Sequence, residues 1–207
     1  MEKVNICPQP LYTFTADPSL TEEIKSLVMN ETYTYNGNRT NYTSVNNRLQ
    51  KKIQYKKFVD WVENTCLKEL KELYNYECDK LSLTQMWSNR SGYKNWHHGH
   101  THPYSYVSGI FYVTKSNSNT WFSFINHWCS LGKGEMKIDR YVENEHQIIH
   151  KEPSVPGKLI IFPSNMYHSV DEHLIEDGER YTLSFNAFPS GKIGNFFLLS
   201  GLDLTIN

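Results

Sequence analysis

Apolar positions along the chain change their period near residue 80. Upstream, Leu20, Ile24, Leu27 and Val28 fall on one helical face. Ser19 and Glu22, just after Pro18, form a capping box, so a short amphipathic helix is expected to start at this serine. A second run, Tyr55, Phe58, Val59, Val62, Cys66, Leu70 and Leu73, keeps the helical repeat of about 3.6 residues through a segment rich in Lys and Glu. It predicts a stronger helix that packs one face on whatever follows. Between the two, residues 33–47 are rich in Asn, Thr and Tyr with little periodicity. They read as a long loop with room for one short strand, and a loop of that length is either disordered or functional.

Downstream of residue 80, β-branched and aromatic residues alternate with polar ones between Gly, Pro and Asn-Ser breaks, the pattern of short strands. Strands are expected at 81–89, 106–114, 120–126, 134–142, 146–150, 157–162 and 179–188. Short strands at that spacing predict a sandwich or jelly roll. Lys115-Ser116-Asn117-Ser118-Asn119 reads as a hairpin turn and not as a linker between domains. The fold expected is mainly β with α additions: a jelly-roll core at 81–190, helical support at 1–80 packed outside it, and a C-terminal tail at 191–207. At 207 residues the chain can bury one substantial core, which makes this a single domain.

The last strand has the sharpest alternation. Arg180, Thr182, Ser184 and Asn186 share one face, and Tyr181, Leu183, Phe185 and Ala187 the other. The apolar face belongs in a core. The polar face is either solvent-exposed or lines a polar cavity, where a guanidinium fork with hydroxyls beside it suits a carboxylate.

Composition adds mostly exclusions. With 21 Lys+Arg against 22 Asp+Glu and no long block of either sign, no dedicated nucleic-acid or membrane surface is expected. No apolar run approaches the roughly 20 residues of a membrane span, and the start, Met1-Glu2-Lys3-Val4-Asn5, lacks a signal-peptide core, so a soluble cytoplasmic location is expected. Cys7, Cys66, Cys78 and Cys129 form no CxxC and read as free thiols. Asn-x-Ser/Thr triplets at Asn30, Asn38, Asn41 and Asn89 are those of an Asn-rich sequence without a secretory route.

Histidines carry the chemistry. His97, His98, His100 and His102 are clustered, with His168 far downstream and Arg180 after it. Residues i and i+2 of an extended segment point the same way, so His100 and His102 can reach one ion while Thr101 points away. His168 could complete three ligands, and three protein ligands with open positions suit a catalytic ion better than a structural one. A lone histidine would be a poor candidate; the HxH pair with a distant His and Arg is a good one. His127, His146, His150 and His173 have no partner pattern and read as structural, and His97 as a loop cap or stacking residue. Trp87, Trp96, Trp121 and Trp128 read as core or rim.

The ordered set Trp87-Ser88-Asn89, His100-Thr101-His102-Pro103, Ser108-Gly109-Ile110-Phe111-Tyr112-Val113, Gly157 to Ser164, His168-Ser169-Val170 and Arg180 to Asn186 resembles the 2-oxoglutarate- and iron(II)-dependent oxygenases. The nearest likeness is to a branch common in marine bacteria and their phages. The match covers roughly 81–190, and the N-terminal helices fit only in kind. The resemblance implies a double-stranded β-helix of cupin-like type and a dioxygenase that uses Fe(II), O2 and 2-oxoglutarate, forming succinate while hydroxylating a substrate. It further implies iron ligands at His100 and His168, with Arg180 on the far carboxylate of 2-oxoglutarate and Thr182 and Tyr112 assisting; His102 is the expected third ligand. Asn89 and Asn186 are further candidates for cosubstrate contact. At residue 102 the superfamily usually places a carboxylate, so a histidine there raises the site's charge by about one unit. His98, Asp139 and Asp171 are the alternatives for that ligand.

Two other function classes fit the same residues. One is a three-histidine cupin-type dioxygenase without 2-oxoglutarate, in which Arg180 binds the substrate's own carboxylate. The other is a noncatalytic jelly-roll binding module. The substrate, small molecule or protein, is not encoded in any pattern; loops at 33–47, 90–99 and 164–178 are expected to set it.

Overall fold

The computed structural model describes residues 10–123 and 149–206. The strand expected at 134–142, most of that at 146–150, and Asp139, Cys7, Cys129, His127, His146 and Trp128 lie outside the described residues. In chain order come β1 (Tyr12–Thr15), α1 (Pro18–Met29), β2 (Tyr33–Tyr35), β3 (Tyr42–Ser44), α2 (Lys56–Trp61), α3 (Leu67–Tyr74), β4 (Cys78–Ser91), β5 (His97–His100), β6 (Val107–Tyr112), β7 (Asn119–Ser123), β8 (Ile149–Pro153), β9 (Lys158–Pro163), β10 (Tyr167–Val170), β11 (Arg180–Ile193) and β12 (Leu202–Leu204). The large sheet runs β1-β9-β6-β11-β4-β3-β2, with β12 on β11, and the small one β5-β10-β7-β8. Every pairing between these strands is antiparallel.

Strand alternation gives the large sheet two different faces. Tyr181, Leu183, Phe185 and Ala187 of β11 join Phe111, Leu159 and Ile161 in a core covered by Ile24, Val28, Phe58, Val62 and Leu67 of the helices. A smaller cluster, Ile110, Tyr112, Phe122, Ile160, Phe162 and Met166, fills part of the space between the two sheets. The rest of that space is polar, and Arg180, Thr182 and Ser184 face it. The cavity reading of this strand, not the solvent-exposed one, is therefore what the structure shows.

Both helices start or turn differently from expectation. The cap of α1 is Asp17, whose carboxylate accepts the Ser19 N–H at 2.8 Å, and not Ser19. Pro18 explains this, since proline suits the first helical position and so puts the cap at residue 17, two residues earlier. The second helix is interrupted by a π-turn at Val62–Cys66. The wider turn rotates the apolar stripe, so Leu67 and Leu70 are buried while Leu73 is 67 % exposed.

Strands also come from outside the expected core. Residues 33–47 contain the β2–β3 hairpin, which adds to β4 through Tyr42 opposite Arg90 and Thr43 opposite Asn89. β1 covers the other edge of the sheet, and the tail beyond residue 190 returns as β12 on β11. The 1–80 and 191–207 segments are thus parts of the sheet as well as support. Among the described residues no helix is long and apolar enough to cross a membrane, and Cys66 and Cys78 are free thiols.

Phe111 joins the helical layer to the large sheet, with its ring 5.1 Å from Phe58 and 6.1 Å from Trp61. Phe111→Ala is expected to cost about 3–5 kcal/mol of stability, measured by chemical denaturation. A loss under about 1 kcal/mol would contradict this packing.

Candidate active site

Two short strands position the histidines. β5 and β10 pair with His168 opposite His100, and the strands fit closely because residue 99 is glycine: a Cβ there would lie 1.9 Å from the Tyr167 hydroxyl. His102 follows β5, held by its N–H to the Ser164 carbonyl at 2.8 Å. One ring nitrogen from each of His100, His102 and His168 lies within 4.8 Å of the others, and the Nε2 atoms of His102 and His168 are 3.3 Å apart. Trp87 lies against His102 and Phe162 against His168.

The remaining ring nitrogens orient the set. Nδ1 of His100 lies 2.9 Å from the His98 carbonyl, and Nδ1 of His168 lies 3.0 Å from the Met166 carbonyl. A carbonyl can only accept, so Nδ1 carries the proton in each ring and Nε2 keeps its lone pair. Burial, followed by repulsion from neighbouring imidazoles, pushes His102 down to about 3 and His168 well below the ordinary histidine range. Burial lowers His100 too, and takes His97 to about 4. Neutral, converging imidazoles are the donor set a divalent transition metal takes.

Arg180 is 3 % exposed. Its Nε donates to Ser154 Oγ at 3.1 Å, its Nη2 has no partner, and no carboxylate pairs with it among the described residues. Burial lowers its pKa. A buried cation with an orphaned donor is costly unless an anion arrives, and the same cavity holds the three histidines.

The other expected residues divide. Thr182 and Asn89 line the cavity, with Asn89 donating to Ser184 Oγ at 3.2 Å. Tyr112 does not line it: its ring lies 5.6 Å from the Arg180 guanidinium carbon and its hydroxyl donates to Thr120 Oγ1 at 2.7 Å. Asn186 is likewise set apart, accepting from Ser108 and donating to Gln85. Asp171 accepts from Asn119. His98 forms with His97 and His100 a second set of ring nitrogens within 4.8 Å, and its own Nδ1 is buried without a partner among the described residues. His173 is structural, tied to Ser116 and the Gly178 carbonyl. His97 and Asn41 line the cavity, a placement that sequence reasoning missed. His97 was detectable as part of the cluster, whereas Asn41 carried no signal beyond its glycosylation triplet, which its burial at 1 % exposure makes unusable.

Residues 85–186 match the family described as "Putative 2OG-Fe(II) oxygenase". Among solved structures, the chain is similar to the non-heme alpha-ketoglutarate-dependent epimerase SnoN from nogalamycin biosynthesis (TM-score 0.65, 11 % identity, 92 % of this chain and 84 % of that one). It is also similar to HygX from Streptomyces hygroscopicus with nickel and 2-oxoglutarate bound (TM-score 0.63, 12 % identity, 87 % and 83 %). A third is a Pseudomonas putida prolyl-4-hydroxylase (TM-score 0.59, 9 % identity, 88 % and 94 %). At these identities the structures show a common fold. No curated protein matches the chain.

The depressed histidines make the metal-free protein acid-sensitive. Above about pH 6.5 these rings are neutral both folded and unfolded and have no effect. Below it, the unfolded chain takes up protons that the native site refuses, so stability falls until the folded pKa values, about 4 for His97 and about 3 for His102, are reached. The melting temperature of metal-free protein should drop steadily from pH 6.5 to 4, and His102→Gln should flatten the drop. A curve unchanged by that substitution would show that His102 does not contribute.

Proposed function

Because residues 85–186 match the 2OG-Fe(II) oxygenase family, we propose that the protein couples oxidative decarboxylation of 2-oxoglutarate to hydroxylation of a substrate C–H bond, with His100, His102 and His168 as the iron ligands. The observation that carries this reading is the convergence of three neutral imidazoles beside a buried, unpaired guanidinium in one cavity. The donor set fits iron(II), because all three ligands are nitrogens free of protons at neutral pH and two are oriented by backbone carbonyls. Bound iron would supply the activation of O2 that turns 2-oxoglutarate into succinate and carbon dioxide and sends the second oxygen atom to the substrate.

The protein's own residues do the rest. Arg180, fixed at Nε by Ser154, offers Nη2 to the far carboxylate of 2-oxoglutarate, and the Thr182 hydroxyl stands on the same face one residue pair along β11. Tyr112 acts through the arginine, its ring packed by the guanidinium and its hydroxyl tied to Thr120. Asn89 and Ser184, bonded to each other, form a polar patch on the same wall. Asn186 keeps its place in the serine cluster below the cavity and supports the wall from there. Ile110 and Val170 add apolar surface to the cavity lining, suited to the methylene groups of such a cosubstrate.

Two measurements test this. With iron(II) and O2, the protein should form succinate from 2-oxoglutarate without added substrate, and Arg180→Ala should weaken 2-oxoglutarate binding about tenfold or more. If iron-loaded protein binds 2-oxoglutarate no better than the Arg180→Ala variant, the three-histidine dioxygenase without this cosubstrate becomes the better account. For the ligand set, His102→Asp should retain iron, His102→Ala should weaken it about tenfold or more, and His98→Ala should leave iron content unchanged. Loss of iron on His98→Ala would instead favour the neighbouring His97, His98 and His100 set.

A further inference from the structure

Part of the cavity wall comes from outside the two stacked sheets' central strands. Asn41 ends the turn of the β2–β3 hairpin, and its backbone is fixed by Asn36, whose N–H donates to the Asn41 carbonyl at 2.9 Å and whose Oδ1 accepts the Asn41 N–H at 3.5 Å. The same oxygen takes the Thr40 N–H at 2.9 Å. The Thr40 carbonyl in turn accepts the Trp96 N–H at 3.1 Å. That bond ties the hairpin to the residue before β5, so the large and small sheets are joined along this edge, with residue 41 beside His97. Asn41 is 1 % exposed and lines the cavity, and its side-chain oxygen has no hydrogen-bond partner among the described residues.

Strand register places this side chain level with Arg180. Tyr42 lies opposite Arg90, which lies opposite Tyr181. Tyr181 belongs to the core under the helices, so that row faces away from the cavity. Extended one residue beyond β3, the same register puts Asn41 level with Ser91, which pairs with Arg180, and this row faces the cavity by alternation. A fixed, buried carboxamide and a buried guanidinium with a free donor therefore share one row of one cavity. His97 stands at the same edge, its Nδ1 3.0 Å from the His98 carbonyl.

Resting on the reading that this cavity takes 2-oxoglutarate with its far carboxylate on Arg180, we infer that Asn41 is a second binding residue for that carboxylate. A carboxamide turned about its last torsion keeps its shape while exchanging oxygen for NH2, so Asn41 can donate to an anion without moving the hairpin. The carboxylate then meets Nη2 of Arg180 on one side and the amide of Asn41 on the other. The hairpin contributes to cosubstrate binding through this residue, and its locked turn supplies the amide already in position.

The test uses the full chain loaded with manganese(II), without O2, titrated calorimetrically with 2-oxoglutarate and with 2-oxobutyrate, which keeps the keto-acid end and lacks the far carboxylate. Asn41→Ala should weaken 2-oxoglutarate about tenfold, and Asn41→Asp should weaken it further by repulsion. Neither should change binding of 2-oxobutyrate. Asn41→Ser, a short polar side chain suited to a hairpin, should behave as Asn41→Ala does and serves where the alanine variant folds poorly. Unchanged 2-oxoglutarate affinity in these variants overturns the inference and leaves the oxygenase reading intact. Equal weakening of both ligands overturns it too, since Asn41 would then only shape the hairpin. Failure of the unsubstituted protein to bind 2-oxoglutarate removes the reading itself and the inference with it.

Discussion

Strand β11 sets the terms for the rest of the molecule, because its alternation sends two incompatible chemistries to opposite sides of one sheet. Tyr181, Leu183, Phe185 and Ala187 need an apolar cover, and α1, α2 and α3 provide it. Arg180, Thr182 and Ser184 need polar company, and the small sheet with its histidines provides that. A slip of one residue in the pairing of β11 with β4 or β6 would turn the guanidinium into the helical core. Register and function are therefore fixed by the same contacts.

Much of this was legible in the sequence. The alternation of 180–187 is strict, the HxH spacing is short, and His168 and Arg180 follow it downstream. What escaped was local and polar. β5 and β10 are short strands whose histidines carry little β signal, and the β2–β3 hairpin is built from Tyr, Thr and Asn, residues that serve loops as readily as edge strands. The misplaced helix cap came from giving a capping-box pattern precedence over the proline beside it. Asn186 shares the inward face of β11 and Tyr112 stands beside Arg180, yet neither lines the cavity, since alternation gives direction and says nothing about which of several inward side chains reaches open space.

Asn41 shows a different limit. Its position depends on a chain of contacts from Asn36 through Thr40 to Trp96, none of which leaves a periodic trace. Sites assembled from hydrogen bonds between loops become visible only when the chain is folded, whereas sites carried on strands can be read from spacing.

The proposed ligand set, with histidine at residue 102, has an electrostatic consequence of its own. Three imidazoles contribute no charge to a doubly charged metal, and Arg180 adds another positive charge deep in the same low-dielectric space. A relative with a carboxylate at this position would cancel part of that field from within. In the proposed site the cancellation would fall to whatever anion enters, so metal and dianionic cosubstrate would stabilise each other's binding. Each is held most firmly when the other is present, and a neutral ligand gains little from the site.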